Sequence, residues 1–148
     1  MQRPDPDSRL NGHALAYFPR LHAVEEYVQA HLRDRITLTD ASQVAGFETK
    51  YFSAYFRSKV GIRFTEWVRL LRVNRARELM QVREASIPHL AFASGFRDVR
   101  TFERAFQQFV GLTPAMYRAS VRPTSRTATE ESRFLPRGGV VKGPPSRA

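Results

Sequence analysis

The sequence predicts an all-α fold in which two helix-turn-helix subdomains are joined by one long connecting helix. Apolar residues recur at spacings of three and four over most of the chain, which is the period of a helix and not of a strand. Two stretches about 49 residues apart share the same order of helix cap, turn glycine and aromatic residues. A long, uninterrupted helical pattern lies between these two stretches.

Residues 1–19 mix Pro, Asp, Asn and Gly without a sustained period, and we interpret them as a flexible leader. Within this leader, residues 14–18 are a candidate apolar anchor. The first helix is expected to begin after Pro19 and to run to about Asp34. Its apolar stripe consists of Leu21, Val24, Val28 and Leu32.

The first helix-turn-helix subdomain is predicted over residues 37–61. Thr37 can cap its first helix, with Asp40 three residues later as a capping-box partner. The second helix, from about Thr49 to Lys59, buries two aromatic side chains, Phe52 and Phe56. Its outward side chains are Lys50, Ser53, Ala54 and Arg57.

The connecting helix is predicted over residues 64–82. A helix of this length spans roughly 28 Å. Its expected buried residues are Trp67, Val68, Leu71, Ala76, Leu79 and Met80. The four arginines at positions 69, 72, 75 and 77 cannot all point in one direction, so some are expected in solvent or paired with Glu66 and Glu78.

The second helix-turn-helix subdomain is predicted over residues 86–111. Ser86 can cap its first helix, and Pro88 suits the first turn, where a missing N–H costs little. Gly95 is expected to end that helix, and Asp98 can cap the next one. The apolar positions of this second helix are Phe102, Ala105, Phe106 and Phe109.

The outward face of that helix carries residue types that recognise base edges: Val99, Arg100, Thr101, Glu103, Arg104 and Gln107. Arginine makes paired hydrogen bonds to guanine, glutamine makes them to adenine, and glutamate accepts from cytosine. In a helix-turn-helix motif the second helix lies in the major groove, and successive major grooves on one face of DNA are ~34 Å apart. The sequence therefore predicts a reader of double-stranded DNA with two recognition helices.

Three segments carry a resemblance to a known family: GF at 95–96, TFERAF at 101–106 and FVGLTPAMYR at 109–118. With these segments the chain resembles the DNA-binding domain of the AraC/XylS family of bacterial transcription regulators, over roughly residues 20–120. The resemblance implies two homeodomain-like three-helix subdomains that read adjacent major grooves. It also implies an activator, as most members are, with RNA polymerase as a further candidate partner.

The first subdomain departs from the family pattern at two places. The family usually has leucine and alanine where this chain has Ala41 and Ser42, and many relatives have arginine where this chain has Ala54. An alanine methyl group suits contact with thymine at most. The resemblance therefore implies looser packing and weaker base reading in the first subdomain.

The composition agrees with a nucleic-acid partner, because 24 basic and 14 acidic residues give a net charge of +10. Residues 121–148 are rich in proline, glycine and basic residues, which predicts a disordered basic tail. No apolar run reaches about 18 residues, and cysteine is absent. We therefore expect a cytoplasmic, nucleoid-associated protein without a membrane span or disulfides.

No pattern typical of an enzyme, a cofactor site or a metal site occurs in the sequence. The four histidines form no ligand spacing, and no serine or carboxylate is paired with a histidine at a catalytic spacing. A glycine-rich phosphate loop is also absent. The leader leaves no room for a small-molecule effector domain in this chain, although the chain can also be a fragment of a longer regulator.

Two other functions remain open. The fold can serve as a protein-interaction module that engages another regulator or the polymerase, which the weak first recognition helix favours. It can also serve as a nonspecific architectural DNA binder, whose affinity would depend on salt but not on sequence.

The tyrosines at positions 51, 55 and 117 are interpreted as packing residues.

Overall fold

A computed structural model describes residues 10–121 as a succession of α-helices. They are α1 Gly12–Tyr17, α2 Pro19–Ala30, α3 Leu38–Ala45, α4 Thr49–Val60, α5 Phe64–Val82, α6 Ile87–Ala93, α7 Val99–Val110 and α8 Pro114–Val121. No strand occurs among these residues, so the predicted all-α fold is confirmed. The first nine residues of the predicted leader, and residues 122–148 of the predicted tail, lie outside the described part.

The chain divides into two compact units after Pro114. The first unit contains α1 to α7, and therefore both helix-turn-helix subdomains. The second unit contains α8 from Ala115 onward. In α8, the Ser120 hydroxyl donates to the carbonyl of the buried Tyr117 at 2.7 Å.

The expectation of a flexible leader is wrong for residues 12–17, which form α1. This helix packs against α2 and α4 and buries Ala14 and Leu15. The Asn11 amide donates to the Val60 carbonyl at the end of α4, at 2.7 Å. The Asn11 side chain makes no capping hydrogen bond, so α1 is stabilised by tertiary contacts and carries no local start signal.

The first predicted helix ends earlier than expected, at Ala30 instead of about Asp34. Its apolar stripe is confirmed, because Leu21, Val24, Val28 and Leu32 are all buried. Residues 31–33 form a turn. The carbonyl oxygens of Leu32 and Asp34 accept hydrogen bonds from Arg72, a residue of α5, and these bonds take the place of further helical turns.

The long helix α5 has the predicted bounds and belongs to both subdomains. Its first half contacts the buried aromatic residues of α4, with ring centroids 5.6 Å apart for Phe52 and Phe64 and 5.2 Å apart for Phe56 and Trp67. It also packs against α6 and α7. Phe52 and Phe56 are fully buried, as predicted.

One part of the predicted core of α5 is wrong. Leu71 is only half-buried, whereas Leu70 and Val73 are buried. Because α5 packs against α4 as well as against α6 and α7, its buried positions do not follow one stripe. The prediction that some arginines pair with acidic neighbours is confirmed for Arg75, which lies 3.7 Å from Glu78.

Candidate nucleic-acid interface

The turns that precede the two recognition helices have the same hydrogen bonds. In each turn the glycine amide donates to the carbonyl three residues earlier, at 3.1 Å for both Gly46 and Gly95. The next residue is a phenylalanine, whose amide donates to the carbonyl five residues earlier, at 3.0 Å in the first turn and 2.9 Å in the second. This bond pair is the Schellman motif, and it requires the positive φ of its glycine. The sequence repeat is therefore also a structural repeat.

The recognition helix α7 separates a buried face from an exposed one. Its buried residues are the predicted ones, Phe102, Ala105, Phe106 and Phe109. The opposite face exposes Arg100, Thr101, Glu103, Arg104 and Gln107, with Val99 half-buried at the start of the helix. The guanidinium groups of Arg100 and Arg104 make no hydrogen bond or salt bridge to another of the described residues, 10–121. Both guanidinium groups therefore keep their donors available to a ligand.

Asp98 caps α7, as predicted. Its carboxylate accepts from the Thr101 amide at 2.7 Å and from the Thr101 hydroxyl at 2.9 Å. These two hydrogen bonds lower the pKa of Asp98 below its ordinary value, and the nearby Arg100 lowers it further. Because the Thr101 hydroxyl proton is used in the cap, the hydroxyl oxygen of this exposed residue can only accept a hydrogen bond from a ligand.

The recognition helix α4 has two charged side chains on its outer face, Lys50 and Arg57, whereas α7 has three. Lys50, Ser53, Ala54 and Arg57 are all exposed, which is the placement expected from the sequence. The helix is capped by Glu48, whose carboxylate accepts from the Lys50 amide at 3.0 Å and from the Tyr51 amide at 3.1 Å. This cap neutralises part of the positive charge at the start of α4.

Tyr51 is an exposed residue that the sequence interpretation assigned to packing. Its side chain is 55% exposed, and its ring lies 5.0 Å from that of Phe47 and 6.0 Å from that of Tyr55. The repeat offset of 50 residues places Tyr51 at the position of Thr101 in α7. This equivalence with Thr101 is the signal in the sequence that could have identified Tyr51 as a contact residue. Tyr55 and Tyr117 are half-buried and buried, in agreement with packing.

The polar residue inside the first subdomain has hydrogen-bond partners. Ser42 is 1% exposed, and its hydroxyl donates to the Thr39 carbonyl at 2.8 Å. It also lies 3.0 Å from the Thr49 hydroxyl at the start of α4. Since a buried hydroxyl with partners does not carry the cost of an unsatisfied one, Ser42 links α3 to α4.

The first turn is supported from the side by Arg20. Its guanidinium donates to the carbonyls of Ala45 and Gly46, at 3.0 and 3.3 Å. It also lies 4.6 Å from the centre of the Phe47 ring. These contacts hold the turn against α2, and with it the start of α4.

Two features are absent from residues 10–121, a side-chain cluster that could hold a metal ion and a helix that could cross a membrane. No group of three or more His, Asp or Glu residues is arranged to hold a metal ion in residues 10–121. Within the same range, no helix is both long enough and apolar enough to cross a membrane.

Residues 22–120 match a protein-family model described as a helix-turn-helix domain. The chain belongs to the AraC/XylS-type helix-turn-helix family. It is 34% identical over 99 residues to the regulatory protein PocR of Salmonella typhimurium, an alignment that covers 67% of this chain and 33% of PocR. The chain therefore spans about a third of the length of PocR.

Solved structures share this AraC/XylS-type fold. A transcriptional regulator from Chromobacterium violaceum, described as containing an AraC-type DNA-binding domain, superposes with a TM-score of 0.65 at 24% identity, covering 71% of this chain and 95% of the other. The DNA-binding domain of AdpA, crystallised with a target DNA, gives a TM-score of 0.64 at 24% identity, covering 81% and 98%. At this identity the likeness concerns the fold alone.

Proposed function

We propose that this chain is a sequence-specific, DNA-binding transcription regulator in which α4 and α7 enter adjacent major grooves of double-stranded DNA. The observation that carries the proposal is the exposed face of α7, where Arg100, Arg104 and Gln107 lie opposite the buried Phe102 and Phe106. These side chains have the donors and acceptors that recognise guanine and adenine. The AraC/XylS-type fold also supports DNA binding, since the DNA-binding domain of AdpA, which shares this fold, was crystallised with a target DNA.

The length of α5 supports two simultaneous contacts. Both α4 and α7 pack against α5, a helix of 19 residues. Such a helix spans roughly 28 Å, and successive major grooves are ~34 Å apart. The length of α5 therefore supports a separation of the two recognition helices close to one turn of DNA.

The two recognition helices are expected to read different bases. On α7, two arginines and a glutamine favour an element that contains guanine and adenine. On α4, the Ala54 methyl group and the exposed Tyr51 ring favour contact with thymine methyl groups, while Lys50 and Arg57 reach phosphates. The target would then be an asymmetric site, with the remaining contacts made by Ser53, Val99, Thr101 and Glu103.

Activation is the expected sign of regulation, through contact with RNA polymerase in the cytoplasm at the nucleoid. This part of the proposal follows from the family resemblance. The chain corresponds to 33% of PocR, and we propose DNA binding, but no binding of a small-molecule effector, for these residues.

The test is repeated selection of binding sites from a randomised duplex library by the full chain at fixed salt. We expect one asymmetric site with two half-elements about 10 base pairs apart. Arg100→Ala should lose selection at one half-element, whereas the matched variant Arg33→Ala, which removes an exposed arginine outside both recognition helices, should select the same site. Salt-dependent binding without any base preference would contradict the proposal and leave the architectural function.

A second candidate function has one supporting observation. A groove of about 800 Å³ lies between the end of α2, α5 and α6, and the 53% exposed Phe92 borders it. Its rim carries charges of both signs, Arg33, Asp34, Arg75 and Glu78. This surface suits a protein partner such as another regulator or the polymerase. Capture of such a partner by a chain that selects no DNA would favour this function over the first.

A further inference from the structure

Arg72, near the middle of α5, binds two backbone carbonyls in the segment that joins α2 to the first subdomain, and α2 itself packs against α3 of that subdomain. Its Nε donates to the Leu32 carbonyl at 3.0 Å, and its Nη2 donates to the Asp34 carbonyl at 2.8 Å. Both carbonyls lie in the segment that follows α2, about 40 residues earlier in the chain. The planar guanidinium can hold two acceptors in a fixed geometry, which a single ammonium group cannot do.

The turn of the second subdomain touches the same carbonyl. A Cβ added to Gly95 would lie 2.2 Å from the Leu32 oxygen and 2.9 Å from Arg72 Nε. Gly95 is buried and has a φ of 106°, so this approach depends on the absence of a side chain. Leu32 and Gly95 thus meet directly, with Arg72 beside both. We call these three residues the inter-subdomain joint.

Two effects in this joint disfavour the positive charge of Arg72. Partial burial lowers the pKa of Arg72, and the positive charge of Arg97 lowers it further. The two charge-assisted hydrogen bonds to carbonyl oxygens compensate for the lost hydration. A neutral or shorter side chain at this position would leave both carbonyls without these donors.

The first subdomain has no counterpart of this joint. Its turn glycine, Gly46, is approached by Arg20, but Arg20 binds carbonyls of the turn itself, at Ala45 and Gly46. Arg20 therefore supports a turn within one subdomain. Arg72 instead connects α5 to the end of α2 at the point where the second turn rests.

We propose that Arg72 is a positioning residue that sets the angle between α4 and α7, and thereby the spacing of half-elements that the chain accepts. The inference rests on the proposed function. Without Arg72, α5 still bridges the two subdomains, but the contact between Leu32 and Gly95 loses its cationic support. The subdomains can then rotate relative to each other, and each recognition helix keeps its own base contacts.

The experiment compares binding of the full chain to its selected site and to the same site with one base pair inserted between the half-elements. One base pair turns the second half-element by about 35° around the DNA axis. The wild-type chain should lose about tenfold or more in affinity, because only one subdomain can then bind well. Arg72→Gln should lose less than about threefold on the same insertion, with wild-type affinity for the isolated α7 half-element.

Arg69→Gln is the matched control, since it removes an exposed arginine from the same helix. It should keep the wild-type penalty for the insertion, even if all sites bind more weakly. Arg72→Lys, which supplies one donor group, should give an intermediate penalty. If Arg72→Gln does not fold, as judged by circular dichroism and thermal unfolding, Arg72→Lys decides between the outcomes.

A measurement without DNA separates this inference from the proposed function. Residual dipolar couplings of the free wild-type chain should fit one alignment tensor for both subdomains, and those of Arg72→Gln should require two. A folded Arg72→Gln with one tensor and the wild-type insertion penalty would overturn the inference. If the wild type selects no site with two half-elements, the proposed function fails, and the couplings still decide whether Arg72 orients the subdomains.

Discussion

The amide and the hydroxyl of Thr101 both donate to the Asp98 carboxylate, so that one side chain holds the first turn of α7 in place. Arg100 lies inside this turn, between the two bonded residues. The orientation of a proposed base-contacting arginine therefore depends on a helix cap.

This cap predicts a pH dependence of stability. The pKa of Asp98 is lowered in the folded chain, so its stabilisation is fully present above its ordinary value of 3.8 and is lost as the pH falls through the folded-state pKa. Asp98→Asn keeps an acceptor but cannot titrate. In urea unfolding, the stability difference between wild type and Asp98→Asn should shrink as the pH falls from about 5 to about 2, a range that includes the ordinary value of Asp98 and extends below it. A difference that stays constant over this range would contradict the assignment.

Arg104→Ala tests direct base reading by α7. The guanidinium is exposed and unpaired within the described residues, so its loss should not affect the fold. At one base pair of the selected site, discrimination should fall by about 1 to 3 kcal/mol. Binding titrations with single-base variants of the site measure this loss. A uniform weakening on all sequences would instead indicate a phosphate contact.

Ala54→Arg should change what the first half-element selects. Ala54 lies 50 positions before Arg104 and is exposed on α4, so an arginine there has the same outward placement. We expect guanine to be selected where the wild type accepts thymine.

The control for this substitution is Gln29→Arg, which adds the same charge at an exposed site on α2. It should leave base selection unchanged. An Ala54→Arg chain that selects the wild-type site would mean that α4 does not read bases.

Gly95→Ala and Gly111→Ala form a matched pair for the joint. Both glycines have a positive φ, which costs an L-residue about 1 to 2 kcal/mol. An added Cβ meets nothing within 4 Å at Gly111 but lies 2.2 Å from the Leu32 oxygen at Gly95. Gly95→Ala should therefore lower the free energy of unfolding by roughly 3 kcal/mol in total, which is more than Gly111→Ala should. Chemical unfolding of both variants measures these losses. Equal losses would argue against a tight contact between Gly95 and Leu32.

The local signals in the sequence were sufficient for most of the secondary structure. Thr37 and Asp40 form the expected capping box, Ser86 and Asp98 cap α6 and α7, and α5 has the predicted bounds. Caps, turn glycines and helical periodicity act within a few residues of each other, which is why a sequence reveals them. The same periodicity placed the predicted contact residues of α4 and α7 on an outer face, except Val99, which is half-buried at the start of α7.

The helix that the sequence did not predict depends on contacts between residues that are distant in the chain. The helix α1 forms because Ala14 and Leu15 pack against α2 and α4, a surface that exists only in the folded chain. Tyr51 is a different case, because its ring neighbours Phe47 and Tyr55 are only four residues away in the sequence and its side chain is nevertheless 55% exposed.

The sequence by itself determined two helix-turn-helix subdomains, their recognition helices and the helix between them. Only the tertiary structure decided where α2 ends and how Arg72 and Gly95 meet at the Leu32 carbonyl. The physical reason is that a backbone carbonyl is present at every residue. No residue type marks the one that an arginine 40 positions away will bind.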